Sequence, residues 1–277
     1  MRILSKLERA AGLDRVVTPA QSFVRRLRPG RVRDGLHGVW LGHPVHPVLV
    51  QAPLGAWLSA GVLDVWPDGQ RAARRLAAFG LIAAAPAALA GAADWSEQHE
   101  QQMRVGVVHA MANVTAMGLY GASLLARTSA LGRTLRYAGL MTAGVGGLLG
   151  GHISFRQAGG ANHAEAVPHL VEPGWHELMA FEDIPAGRPV RKLLGEVPLA
   201  VIRQKDEVHV LADRCSHLSG PLSEGELEDG CLTCPWHGTV FRLRDGGVAR
   251  GPATAPQPVF ETAVRDGALW IRLPGAG

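Results

Sequence analysis

Four stretches of this chain run without a charged side chain: 35–63, 76–93, 105–126 and 137–155. A helix that crosses a hydrocarbon core of about 30 Å needs about 20 mostly apolar residues, and all four stretches are long enough, the Ala-rich second being the weakest. A helix of a soluble bundle shows a polar face repeating every 3.6 residues, and none of the four does. The pattern predicts four membrane-spanning helices within 36–156, in contact with a lipid bilayer.

Charge divides the chain at the same place. Residues 1–160 carry 17 Lys/Arg against 8 Asp/Glu, and residues 161–277 carry 11 against 16. The positive charge sits on the half with the uncharged runs, so the net charge of +4 gives no reason to expect a nucleic-acid partner. Residues 1–35 form a basic N-terminal segment, with Arg25, Arg26, Arg28, Arg31 and Arg33 packed together and no apolar core before a cleavage site, so they are not a secretory signal. A basic segment before a first span usually stays on the cytoplasmic face. The expectation is a multi-pass protein of the bacterial inner membrane with both termini in the cytoplasm.

Histidines mark one end of the expected spans. His43 and His46 stand in His43-Pro-Val-His46-Pro47 at the start of the first, His109 at the start of the third and His152 at the end of the fourth. Because spans alternate in direction, these ends face one side. Ionisable groups inside a membrane are functional suspects, so His46, His109 and His152 are candidate cofactor ligands. Imidazoles on facing helices can ligate a haem b, meet a quinone head group or bind a transition metal; they can also be interfacial residues that bond helix ends. The His-Pro-x-His-Pro start, Asp64 and Gly150-Gly151 together resemble a family of uncharacterised four-helix bacterial membrane domains, which implies topology and no activity.

After a Gly/Ala-rich linker at 157–173, the pattern changes to short apolar runs broken by turn residues. Leu199–Ile202 and Val208–Leu211 flank Lys205-Asp206, and 259–264 and 268–273 flank Asp266-Gly267, a hairpin signal. Residues 174–277 therefore read as a small antiparallel all-β domain. Within it stand Cys215-Ser216-His217 and, sixteen residues on, Cys234-Pro235-Trp236-His237. Two thiolates and two imidazoles suit either a Cys₂His₂ zinc ion or a 2Fe-2S cluster with Cys₂ on one iron and His₂ on the other. Each loop supplies one of each, whereas zinc fingers usually group like ligands.

These residues, with Gly238, Phe241 and Gly251-Pro252, resemble the Rieske family. The resemblance implies that Cys215 and Cys234 hold the inner iron of a 2Fe-2S cluster and that His217 and His237 hold the outer one. Rieske domains of respiratory quinol oxidases add two cysteines joined in a disulfide. Here Gly220 or a near neighbour and Trp236 take those places, and Phe241 stands where a tyrosine is often found. Fewer hydrogen-bond donors lower the potential, so the resemblance implies a low-potential cluster.

The whole chain is thus expected to be multidomain: an all-α four-helix transmembrane bundle followed by an all-β Rieske domain. Its expected role is that of a membrane-anchored electron carrier with no catalytic site of its own. Its expected partner is a redox protein or a quinone. The alternatives are a ferredoxin-like component of an oxygenase or reductase system, or a redox sensor.

Overall fold

The computed structural model describes residues 2–27, 30–205 and 207–275. Arg28 of the basic cluster and Asp206 of the first hairpin turn lie outside the described residues. The chain forms two compact units, Met1–Pro29 with Pro44–Gly159, and Gly30–His43 with Gly160–Gly277. The first is helical. The second is built on β-strands and holds the short helices α3 (Arg31–His37) and α8 (Val167–Leu170).

The helical unit contains α1 (Arg2–Glu8), α2 (Asp14–Leu27), α4 (His46–Leu63), α5 (Gln70–Trp95), α6 (Glu100–Leu125) and α7 (Ser129–Gly151), the last running into a π-helical turn, His152–Arg156. Helix α4 packs on α5 and α7, and α6 packs on α7 and α5, so α4 and α6 lie diagonally across a square bundle. The first uncharged stretch does not become one helix. Gly38 (φ 87°) closes α3 in the left-handed conformation, Gly42 (φ 82°) turns the chain again, and α4 starts only at His46. Among the described residues, two segments, Pro67–Trp95 and Glu100–Leu125, are by length and composition long and apolar enough to cross a membrane. Helix α4 has only 18 residues, and Arg133 and Arg136 interrupt the N-terminal part of α7.

The interior of this unit is rich in small residues, and many of its large apolar side chains face outward. Small residues lie inside, among them Ala77, Ala84, Ala90, Ala116 and Gly146, while Leu58, Ile82, Met111, Val114, Met141 and Leu148 point outward and are exposed. Trp57 stacks on Tyr120 with ring centres 4.4 Å apart. A Cβ on Gly80 would stand 2.2 Å from the Trp57 indole nitrogen, so only glycine admits the ring. Asp64, fully buried at the end of α4, accepts two bonds from the Arg136 guanidinium, at 2.6 and 2.5 Å.

Helices α1 and α2 cap one end of the bundle. Asp14 accepts two bonds of 2.7 Å from Arg104, which hold its carboxyl below the usual carboxylate range. Arg25 pairs with Glu97 at 2.8 Å, and Gln21 donates to the Ser96 carbonyl at 2.8 Å.

In the second unit, a six-stranded antiparallel sheet has the order β1 (His176–Ala180), β10 (Ala268–Arg272), β9 (Val259–Arg265), β4 (Glu207–Ala212), β3 (Val197–Gln204), β2 (Val190–Leu194). A four-stranded sheet runs β5 (Glu226–Glu228), β6 (Cys231–Thr233), β7 (Val240–Arg242), β8 (Val248–Arg250). The all-β expectation holds. Asp266 (φ 50°) and Gly267 (φ 78°) are both left-handed, as a two-residue hairpin turn requires. One face of β3 joins Leu269, Ile271 and Phe260 in a first core; the other face, Ala200 and Ile202, meets Leu222, Leu232 and Phe241 in a second. That second core ends at Cys215 and Cys234.

Candidate metal centre

Two loops project from the second core: 213–225 between β4 and β5, and 234–239 between β6 and β7. They are built alike. In each, the amide four residues after the cysteine donates back to the cysteine carbonyl, Ser219 to Cys215 at 2.8 Å and Gly238 to Cys234 at 3.1 Å. Both of those residues have positive φ, 62° and 71°. Glycine adopts this freely; Ser219 holds it against the steric preference of an L-residue. The turn aims the amides two and three places after each cysteine at its sulfur. His217 and Leu218 donate to Cys215, and Trp236 and His237 donate to Cys234.

The two sulfurs meet. A hydrogen bond between them, reinforced by the Trp236 and His237 amides, pulls the Cys234 thiol down to about 7, while the same bond and burial push Cys215 up. Both cysteines are buried, and both histidines are half-buried at the loop tips. The His217 and His237 rings stand edge to face with centres 5.0 Å apart. Gly220 lies against the sulfur pair: a Cβ there would come within 2.8 Å of the Cys234 sulfur and 3.1 Å of Trp236. Cys231 lies in β6 opposite Arg242, and all three cysteines are free thiols.

Among the described residues, no three His, Cys, Asp or Glu side chains converge on a single point. The donors come as a sulfur pair inside and an imidazole pair outside. That division suits two iron atoms with unlike ligands better than one tetrahedral zinc ion, which needs all four on one centre. Amide donors aimed at both sulfurs also suit metal-bound thiolates, which remain charged.

A third loop, 251–258, binds both ligand loops. Gln257, buried, accepts from the Ser216 amide at 3.0 Å and donates to the Ala212 and Arg214 carbonyls at 2.7 Å each. The Ala253 amide donates to Thr239 Oγ1 at 3.0 Å, and the Cys234 amide donates to the Thr239 carbonyl at 2.8 Å. Segment 30–43 adds a fourth element: Asp34 accepts from the Gly251 amide at 2.9 Å, and a Cβ on Gly251 would meet Val39 at 3.1 Å. Neither Gln257 nor Asp34 stands out in the sequence. A glutamine between two prolines follows no strand pattern, and Asp34 lies 217 residues from its partner.

Of the three candidate histidines in the helical unit, two come together. The His46 and His109 ring centres are 6.4 Å apart. His152 does not join them, because its Nε2 is 2.7 Å from Glu8 of α1.

Comparison with known proteins respects this division. The family described as Rieske [2Fe-2S] domain matches residues 174–261, and the family described as Predicted membrane protein (DUF2231) matches 42–162. The anthranilate 1,2-dioxygenase ferredoxin subunit of Burkholderia cepacia is 35% identical over 99 residues, which cover 36% of this chain and 92% of the relative. The 3-phenylpropionate/cinnamic acid dioxygenase ferredoxin subunit of Escherichia coli K12 is 36% identical over 95 residues, covering 34% and 89%. Among solved structures, a complex of oxygenase and ferredoxin in carbazole 1,9a-dioxygenase matches at 35% identity with a TM-score of 0.33, over 35% of this chain and 92% of that one.

Proposed function

We infer, because the chain belongs to the Rieske [2Fe-2S] family through its C-terminal domain, that it is a membrane-anchored one-electron carrier. The observation that bears most weight is the pairing of two buried, amide-solvated sulfurs with two imidazoles at the loop tips. On this proposal Cys215 and Cys234 hold the inner iron, and His217 and His237 the outer one. When bound, the 2Fe-2S cluster accepts and releases a single electron. The chain's own groups keep water from the sulfurs, through Leu222, Phe241 and Ala253, and set the charge balance through the four amides.

The helical unit is proposed to sit in the bilayer with all four long helices, α4 to α7, spanning it. Support comes from the outward-facing Leu, Ile, Met and Val side chains on each of them and from the interior of Ala and Gly, which lets helices approach closely in lipid. With four crossings the termini share one side, and the basic N-terminal segment favours the cytoplasm. The proposed membrane partner is a quinone or a cofactor of the helical unit; a soluble partner of the oxygenase type is suggested by the ferredoxin relatives.

A redox titration of the full chain in detergent, followed by electron spin resonance, tests this. The expected result is that the cluster's own signal titrates as one one-electron wave at about −150 mV, the low end of the Rieske span. No disulfide braces the ligand loops, since all three cysteines are free, and Phe241 brings no hydroxyl to the core. A midpoint above about +100 mV, in the upper part of that span, contradicts the low-potential assignment. Release of the chain from membranes by alkaline carbonate contradicts the anchoring.

A further inference from the structure

We infer that His46 and His109 form a bis-imidazole site for a b-type haem inside the helical unit. The proposal deepens the bundle-cofactor part of the function above and rests on it. It is independent of whether the cysteine loops hold their cluster.

The two rings come from diagonally opposed helices, α4 and α6, and meet across the bundle axis. Each is oriented by the other helix of its own hairpin. His46 Nδ1 lies 2.8 Å from the Ala87 carbonyl of α5, and His109 Nδ1 lies 2.7 Å from the Gly146 carbonyl of α7. A carbonyl only accepts, so each Nδ1 carries the proton and donates it. Each Nε2 is therefore the lone-pair nitrogen. Metal-ligating histidines are held in this way almost without exception, their second N–H given to a carbonyl or carboxylate.

Glycines set the rings' places. A Cβ on Gly91 would be 2.8 Å from the His46 ring, and one on Gly150 would be 3.2 Å from the His109 ring. Asn113 donates its amide to the His109 carbonyl at 2.9 Å and also approaches His109 Nε2 at 3.2 Å. Ligation replaces only the second contact.

The ring separation is what a shared metal requires. An ion in line between two imidazoles, at about 2.0 Å from each nitrogen, sets the ring centres about 6 Å apart. The observed separation of 6.4 Å matches this. Among the described residues no third His, Cys, Asp or Glu joins the pair. Two protein nitrogens alone do not complete a zinc site, but they supply both axial positions of a haem iron, whose other four ligands belong to the macrocycle. Bundle cores place cofactors between facing helices in this manner.

The test uses the full chain purified in detergent from cells supplied with iron and a haem precursor, by pyridine haemochrome assay, metal analysis and reduced-minus-oxidised spectra. The expected result is about one b-type haem per chain with a low-spin, six-coordinate spectrum. His46→Gly and His109→Gly should each lose that spectrum, and added imidazole should restore it, which separates ligand loss from misfolding. His152→Ala should retain haem in full. Wild-type chain with its cluster but without haem overturns the proposal, and so does a stoichiometric copper or zinc ion bound by the two histidines instead. Equal haem loss in His152→Ala, or failure of imidazole rescue in both glycine variants, overturns it as well.

Discussion

Serine in place of Cys215 or Cys234 is expected to leave the full-length chain without its 2Fe-2S cluster and without electron-transfer activity. Each thiolate is one of two anionic ligands on the proposed inner iron, and each is the acceptor for two backbone amides. A serine oxygen is harder, shorter-reaching and far less acidic than a thiol, so it neither binds iron comparably nor fills the space that Gly220 leaves beside the Cys234 sulfur. The visible absorbance of the cluster and its spin-resonance signal measure the loss. Cys231→Ser serves as the control, since that residue lies in β6 opposite Arg242 and outside both ligand loops; it should retain both signals. If the Cys231 variant loses the cluster while either ligand variant keeps it, the ligand assignment is wrong.

Asp64→Asn is expected to destabilise the helical unit by about 3–5 kcal/mol, the cost of leaving one member of a buried ion pair without its partner. Asp64 is fully buried and the Arg136 side chain is 5% exposed. The pair joins the end of α4 to α7, beside the Tyr137 hydroxyl, which donates to the Gly61 carbonyl at 2.9 Å. Breaking it strands a guanidinium among Ala, Gly and aromatic side chains. The double variant Asp64→Leu with Arg136→Met should be more stable than either single change, because apolar groups of similar volume replace a buried pair at little cost. Unfolding in denaturing detergent, followed by tryptophan fluorescence, measures both. Additive losses in the double variant would show that the pair is not coupled.

The parts legible in the sequence are those set by local pattern. The cysteine and histidine spacing marks the two ligand loops, and the hairpin residues Asp266-Gly267 mark a turn whose backbone requires them. The uncharged runs locate α5 and α6 well, because each is bounded by charges near its helix ends. The start of α4 is less legible: the run without charge reaches back to Gly35, while the glycines at 38 and 42 divide it into segments with different partners. Contacts across long sequence separation leave no local mark. Glu8 reaches His152 over 144 residues, which removes that histidine from the pair made by His46 and His109. Asp34 reaches Gly251 in the same way, so segment 30–43 belongs to the β unit although the uncharged run carries on from it into α4 without a break. The matching geometry of the two ligand loops is equally hidden, because one uses serine and the other glycine at the same left-handed position.

The most direct test of the account is an iron, zinc and acid-labile sulfide determination on the full-length chain, with dithionite-reduced spin resonance on the same sample. The account predicts two acid-labile sulfides per chain, at least two irons and a rhombic Rieske-type signal. Colourless protein with one zinc and no labile sulfide would contradict it.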